Sequence, residues 1–301
     1  MIHEENKVAV VVVTYNRKEL LKECLEALSG QDDQNTEIIV VDNASSDGTE
    51  KYVRDYYSEI VKYYNTGKNL GGAGGFNYGM KKALETDCDY IWLMDDDCIV
   101  NDTSLIALLG EAEKLNNQFG FLSSRVLWTD GSPCNMNIQK KSYTSKVTPE
   151  DTEPVPLIMA TFVSFFMKAE TVQKIGLPIT EFFIWADDLE YSRRISRKYP
   201  CYYVPDSTVL HKTKTNIGSN LPADNAKDLS RYSYAYRNEY YLYRSEGLKG
   251  RIYYLLKRAY HITKILLKSD RKQERLNIIH KAIKAGKHFH PAVEFISEAK
   301  A

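Results

Sequence analysis

The chain has 301 residues, 43% hydrophobic and 27% charged, and its 40 Lys/Arg balance 40 Asp/Glu, a composition that predicts a soluble globular protein with a sizeable core. Its five cysteines, Cys24, Cys88, Cys98, Cys134 and Cys201, are odd in number and lack short paired spacing, which argues against a zinc site or a disulfide framework and for reduced, cytoplasmic thiols. No charged-then-apolar leader opens the chain and nowhere do about 18 apolar residues run together, so neither a signal peptide nor a membrane span is expected.

Residues 8–13 form an unbroken Val/Ala run, the composition of a central parallel strand covered on both faces. The run breaks at Thr14-Tyr15-Asn16-Arg17, after which Leu20, Leu21, Cys24, Leu25 and Leu28 recur at helical spacing. Residues 38–41 predict a second strand, closing on the turn-rich stretch from Asp42 to a helix start near Thr49. A third strand is expected over 61–65. It is followed by Asn69-Leu70-Gly71-Gly72-Ala73-Gly74-Gly75 and a helix over 76–84. That glycine run lacks the Gly-x-x-x-x-Gly-Lys-Ser/Thr pattern and does not follow a first strand as a dinucleotide fingerprint does. It reads as backbone that approaches a nucleotide or sugar closely, or as a tight turn into the helix.

Ile91-Trp92-Leu93-Met94 then has strand length and ends in Asp95, Asp96 and Asp97. Three adjacent anions repel one another unless a cation or several donors are present. In extended backbone Asp95 and Asp97 share a face and can reach one divalent ion, leaving Asp96 for a neighbouring group. The bland reading is a solvated acidic turn. The loops at Thr14, Asp42 and Asp95 each follow a strand, which predicts one sheet edge carrying all three and ligands at the carboxyl ends of a parallel sheet.

Residues 129–156 are polar and aperiodic, and predict a long loop or lid over that edge. A strand over 162–167 is expected next. Phe182-Phe183-Ile184-Trp185-Ala186-Asp187-Asp188-Leu189-Glu190-Tyr191 leads into a helix carrying Arg193 and Arg194, with Asp187 or Asp188 as its cap, a place compatible with a catalytic base. A strand over 202–204 precedes His211.

In that order these motifs resemble a family 2 glycosyltransferase with the GT-A fold, over roughly residues 7–245. The Asn69 to Gly75 loop, the triple Asp and the Asp187-Asp188-Leu189-Glu190-Tyr191 helix start are most similar to bacterial galactofuranosyltransferases, with rhamnosyltransferases next. The resemblance implies a Rossmann-like nucleotide-binding α/β sheet with flanking helices, a catalytic domain over 1–243 and a C-terminal helical extension over 244–301. It implies that Thr14, Arg17, Asp42, Asn69, Gly71, Asp95 and Asp96 surround a nucleotide-sugar, with Asp42 accepting a hydrogen bond from the base. Asp95, Asp97 and His211 would hold Mn²⁺ or Mg²⁺ on the diphosphate. Trp185 and Asp187 would meet the acceptor. Asp188 is the expected general base, because a carboxylate desolvated against Trp185 and Tyr191 has a raised pKa, and one base without a second carboxylate nucleophile implies inversion. Ala186 departs from relatives that carry an aromatic or an acid there, which bears on acceptor geometry.

Between Arg244 and His290 there are 13 Lys/Arg against 3 Asp/Glu, with tyrosines and helically spaced Leu and Ile among them. No nucleic-acid motif accompanies this tail. Peripheral contact with an anionic membrane, at the inner face of the plasma membrane, is one expectation. A solvated helical subdomain or an oligomer interface is the other.

The expected activity is metal-dependent transfer of a sugar, galactofuranose from UDP-galactofuranose, to a cell-surface glycan or lipid-linked acceptor. Rhamnosyl transfer from dTDP-rhamnose is the alternative enzyme, and a non-catalytic glycan-binding or scaffold protein the alternative class. The joint presence of Asp95, Asp97, Asp188 and His211 argues against the latter.

Overall fold

The computed structural model describes residues 6–31 and 35–296. Strand β1 (Val8–Thr14) is buried on both faces. Val8, Val10 and Val12 pack with Leu21, Leu25 and Val53, while Ala9, Val11 and Val13 pack with Phe76 and Met80. With helices on either side neither face meets water, so the apolar run is continuous rather than alternating. Helix α1 (Lys18–Ser29) connects β1 to β2 (Thr36–Asp42), α2 (Thr49–Tyr57) connects β2 to β3 (Val61–Asn65), and α3 (Gly71–Leu84) connects β3 to β4 (Tyr90–Asp95). These four strands are parallel, with Thr14 level with Asp42, Asp42 with Asn65 and Val13 with Asp95. The loops leaving them share one edge, as the strand-loop-helix pattern predicts.

The rest of the sheet is mixed. After β4 come β5 (Cys98–Val100), α4 (Ser104–Lys114), β6 (Leu122–Leu127), β7 (Val155–Pro156), β8 (Phe165–Lys168), α5 (Ala169–Ile175), α6 (Asp187–Ser196) and β9 (Tyr202–His211). The order across the sheet is β3-β2-β1-β4-β8-β6-β9-β5, with β7 on β9. Strand β8 runs antiparallel to both β4 and β6, and β5 runs antiparallel to β9. The β5–β9 register sets Cys98 opposite His211. His211 is therefore the last residue of β9 itself, a strand longer than the 202–204 segment the sequence predicts.

One local expectation is corrected. Helix α3 begins at Gly71, not Phe76, so the glycine run forms its first turns, and at Gly71, Gly74 and Gly75 the missing side chain makes room for protein. Gly71 has φ +71°, and a Cβ there would lie 2.0 Å from the Phe183 carbonyl oxygen. A Cβ at Gly79 would lie 2.3 Å from Val11 Cγ1 and 3.0 Å from Val41 Cγ2, so the glycine lets α3 settle on the sheet. Gly79→Ala should cost about 1–3 kcal/mol in chemical denaturation, although alanine is the better helix former by roughly 1 kcal/mol. An unchanged or raised midpoint would contradict this close contact.

Residues 129–156 are the expected long loop, irregular apart from β7, and part of it packs into the protein rather than lying loosely over the edge. Cys134, Asn137 and Gln139 are buried, and Gln139 donates to Ser123 Oγ at 3.0 Å and to the Ser124 carbonyl. Polar residues that satisfy buried groups look in sequence like solvated ones.

Helices α7 (Tyr232–Arg244), α8 (Gly247–Lys268) and α9 (Lys272–Lys287) form a third layer with its own cluster, including Met159, Tyr236, Tyr254, Ile265, Ile279 and Ile283. Helix α7, on the N-terminal side of the expected boundary at 244, shares this cluster. Beyond α9 the chain returns to α3, where Glu294 accepts from Asn77 at 3.2 Å and pairs with Lys81 at 2.6 Å. No helix among the described residues is long and apolar enough to cross a membrane.

Candidate active site

The loops after β1 and β2 brace each other. Asn16, at φ 53°, donates its N–H to Ser45 Oγ at 2.8 Å and accepts from Ser46 N–H at 2.7 Å, while Asp47 accepts from Lys18 N–H at 2.9 Å. Asp42 is fully buried, its carboxylate accepting from Ser45 N–H and the Tyr63 hydroxyl. Asn43 holds the start of α3, donating to the Gly71 carbonyl at 3.1 Å and accepting from Leu70 N–H at 3.3 Å. Asn69 is exposed and accepts from Gly71 N–H at 2.8 Å.

Beside this framework Asp96 and Asp97 form the turn between β4 and β5, so Asp95 and Asp97 are not alternate positions of one extended strand. Thr14 Oγ1 donates to Asp96 Oδ2 at 2.7 Å, and Arg17 Nη1 reaches Asp96 Oδ1 at 3.2 Å and Asp97 Oδ2 at 2.9 Å. His211 Nε2 lies 2.9 Å from Asp97 Oδ1, and its Nδ1 lies 2.7 Å from Asn137 Oδ1. Burial pushes Asp96 up to about 7 despite Arg17, and pushes Asp95 up to about 6 with help from the Asp97 carboxylate. Burial acts upward on Asp97 too, but the His211 hydrogen bond and charge, with Arg17, hold it below its usual range. Burial acts downward on His211, yet its contacts with Asp97 and Cys134 lift it to about 10.

This donor set fits a divalent cation. Asp97, Cys98 and His211 offer donor atoms within 4.8 Å of one another, with Cys98 in the tight set where sequence points to Asp95. Burial, then Asp97 and Asp95, drive the Cys98 thiol well above its usual pKa. A neutral thiol is a poor ligand, whereas carboxylates with one imidazole suit Mn²⁺ or Mg²⁺. A cation there would also offset the desolvation that raises Asp95.

The second carboxylate pair begins α6. Ala186, at φ 62°, occupies the cap position, so neither Asp187 nor Asp188 caps the helix with its side chain; instead Asp188 Oδ1 accepts from Leu189 N–H at 2.7 Å. Burial drives Asp187 well above its usual range, and the Asp188 carboxylate adds to the shift. Asp188, half-buried, is pushed up to about 7, first by burial and also by Asp95, with Lys140 opposing. Gly72 faces Asp187, whose Oδ2 would lie 3.9 Å from a Cβ there. The two acidic pairs therefore interact across one site. Trp185 packs against Tyr232 with the rings tilted at 45° and centroids 5.1 Å apart, and Arg231 lies 5.1 Å over its ring.

Three groups at this site carry no motif that the sequence reading could use. Lys140, the cation beside Asp188, is lowered to about 8 by burial and by Lys257, and nothing marks it within an irregular stretch. Asn137 meets His211 from the same stretch. Asn238 of α7 is fully buried and donates to the carbonyls of Phe182, Ile184 and Trp185 at 3.0, 3.1 and 2.8 Å. It holds a segment in which Phe183, Trp185 and Ala186 all have positive φ, strain that persists only when something outside fixes it. The one available signal is a lone uncharged amide in a tyrosine-rich helix. Asn238→Leu should lower stability by roughly 2–3 kcal/mol and slow turnover by misplacing Asp187 and Asp188. Normal turnover in a folded variant would remove the clamp.

The family model described as Glycosyl transferase family 2 matches residues 9–171. The chain is 30% identical over 264 residues to the galactofuranosyltransferase GlfT1 of Mycolicibacterium smegmatis, covering 83% of this chain and 86% of that one. It is 31% identical over 259 residues to GlfT1 of Mycobacterium tuberculosis, covering 80% and 84%. Among solved structures it resembles GalNAc-T7 crystallised with UDP, GalNAc and Mn²⁺ at TM-score 0.65 and 15% identity, covering 93% of this chain and 55% of that one. It also resembles Staphylococcus aureus TarS 1-349 with UDP-GlcNAc at TM-score 0.52 and 15% identity, covering 94% and 73%. The fold is that of these GT-A enzymes, and the chain is a glycosyltransferase belonging to glycosyl transferase family 2.

Proposed function

We propose that this enzyme is a metal-dependent, inverting glycosyltransferase that moves galactofuranose from UDP-galactofuranose to a cell-surface glycan or lipid-linked acceptor. The donor assignment is supported by two galactofuranosyltransferases aligned over more than four fifths of their length. The observation that carries the mechanism is Asp188, a half-buried carboxylate titrating near 7 within electrostatic reach of Asp95. A base with a pKa near the working pH is half ionised there and can still take a proton.

In the proposed reaction the acceptor oxygen attacks the anomeric carbon, its proton passes to Asp188, and the carbon–oxygen bond to the diphosphate breaks, the electron pair leaving with UDP. Asp187, whose carboxyl burial pushes well above its usual range, orients acceptor hydroxyls beside Trp185. Thr14, Arg17, Asp42, Asn69 and Asp96 form the nucleotide side. Asp95, Asp97 and His211 would hold Mn²⁺ or Mg²⁺, which when bound would supply charge neutralisation on the leaving group. Residues 1–243 form the catalytic domain and 244–301 a basic extension that keeps the enzyme peripheral to the inner face of the plasma membrane.

The test is a donor panel of UDP-galactofuranose, UDP-galactose and dTDP-rhamnose, assayed for hydrolysis and transfer with Mn²⁺ and with chelator. Turnover of UDP-galactofuranose alone, lost with chelator, is expected. Preference for dTDP-rhamnose would replace the donor, and full turnover in chelator would remove the metal.

A further inference from the structure

Helix α8 is attached to the protein by a narrow stripe in which Gly250, Tyr254 and Ile265 are buried. Its opposite face is apolar and open. Leu248, Ile252, Leu255, Leu256, Leu266 and Leu267 recur at the three- and four-residue steps of one helix face, with Leu248 and Leu267 each 73% exposed and Leu256 64% exposed. Ala259 and Thr263 complete that line and are exposed as well. A soluble protein rarely leaves a line of leucines of this length in water, so something covers it.

Charge identifies the cover. No Asp or Glu lies between Gly247 and Lys268, and Arg251 and Arg258 border the apolar face on one side while Lys249 and Lys264 border it on the other. Two copies of this face would bring like charges together, whereas a surface that is apolar below and anionic above matches it at every position. Lys257 is not part of this border, because its ammonium pairs with Glu239 at 2.6 Å. On the Arg258 side, α8 and α9 enclose a groove of about 630 Å³ lined by Ile262, Ile279 and Ile283 together with Arg258, Lys284 and Lys287. It repeats the same apolar-with-basic chemistry at the scale of a lipid headgroup and the first carbons of its chain.

We propose that α8 lies in the plane of an anionic bilayer, with its leucine face in the acyl boundary and its Lys and Arg borders at the phosphates. The proposal rests on the peripheral placement of the enzyme and not on the identity of its donor. It fixes which side of the molecule faces the lipid.

The test is flotation of the full chain with vesicles of phosphatidylcholine alone or with added phosphatidylglycerol, at low salt and at about 0.5 M salt. Binding to the phosphatidylglycerol vesicles is expected, weakened by salt. Leu256→Ser with Leu267→Ser should reduce it about 100-fold, because two leucines no longer enter the acyl region. Circular dichroism and nucleotide-sugar hydrolysis in solution should stay as in the wild type. Absence of flotation at low salt, or unaltered flotation of the double variant, would overturn the proposal. A dimer that the double variant converts to monomer, without change in vesicle binding, would assign the face to a second copy instead. Hydrolysis is read separately, so a failed docking surface leaves the reaction intact, and a failed reaction leaves the docking result standing.

Discussion

Asp188→Asn should slow sugar transfer by about 10²–10⁴-fold and leave UDP affinity nearly unchanged. Asparagine keeps the shape of the side chain and its Leu189 N–H contact but cannot take the acceptor proton. The wild-type pH profile carries a second signature. Asp188 is raised to about 7 and is active only when ionised, so kcat should climb as pH rises through that value and level off above it. The variant should lose this limb. Asp187→Asn removes less, because burial pushes the Asp187 carboxyl well above its usual range and disfavours the ionised form a base needs. Greater damage from Asp187→Asn than from Asp188→Asn would exchange the two roles.

Asp97→Ala should abolish the Mn²⁺ dependence of UDP binding, with affinity in the presence of Mn²⁺ falling by about 100-fold or more in titration calorimetry. Asp97 is where three parts of the site converge, receiving Arg17 at 2.9 Å and His211 at 2.9 Å on its two oxygens. Its loss frees the Arg17 guanidinium for the diphosphate, so weak, metal-independent binding should persist. Equal affinity with and without Mn²⁺ in the wild type would refute the metal site. So would an Asp97→Ala enzyme that still binds UDP more tightly with Mn²⁺.

The acidic groups of this site were legible because each terminates a local pattern. Asp95 follows an apolar run of strand length, and Asp187 and Asp188 begin an amphipathic helix. The meeting of Asp97 with His211 follows from the family resemblance and not from the residues themselves, because it depends on pairing between distant segments. Cys98 and His211 face each other through the β5–β9 register, and no local feature of either strand announces a partner more than a hundred residues away. The start of α3 was misread because helix propensity penalises glycine, while the close approach to Val11 and the Phe183 carbonyl outweighs that penalty. The long loop over 129–156 is legible from its polar, aperiodic sequence, but its buried polar contacts are not, because polar residues facing buried groups look like solvated ones. Gln139 and Asn137 are polar because they face buried hydroxyl, carbonyl and imidazole groups.

The most direct measurement is the anomeric configuration of the product by NMR, starting from UDP-galactofuranose and a simple galactoside acceptor. A single displacement assisted by one base at Asp188 requires a product opposite in configuration to the donor. A product with the donor's configuration would require two displacements or front-face attack, and would contradict the assignment of Asp188 as the sole base.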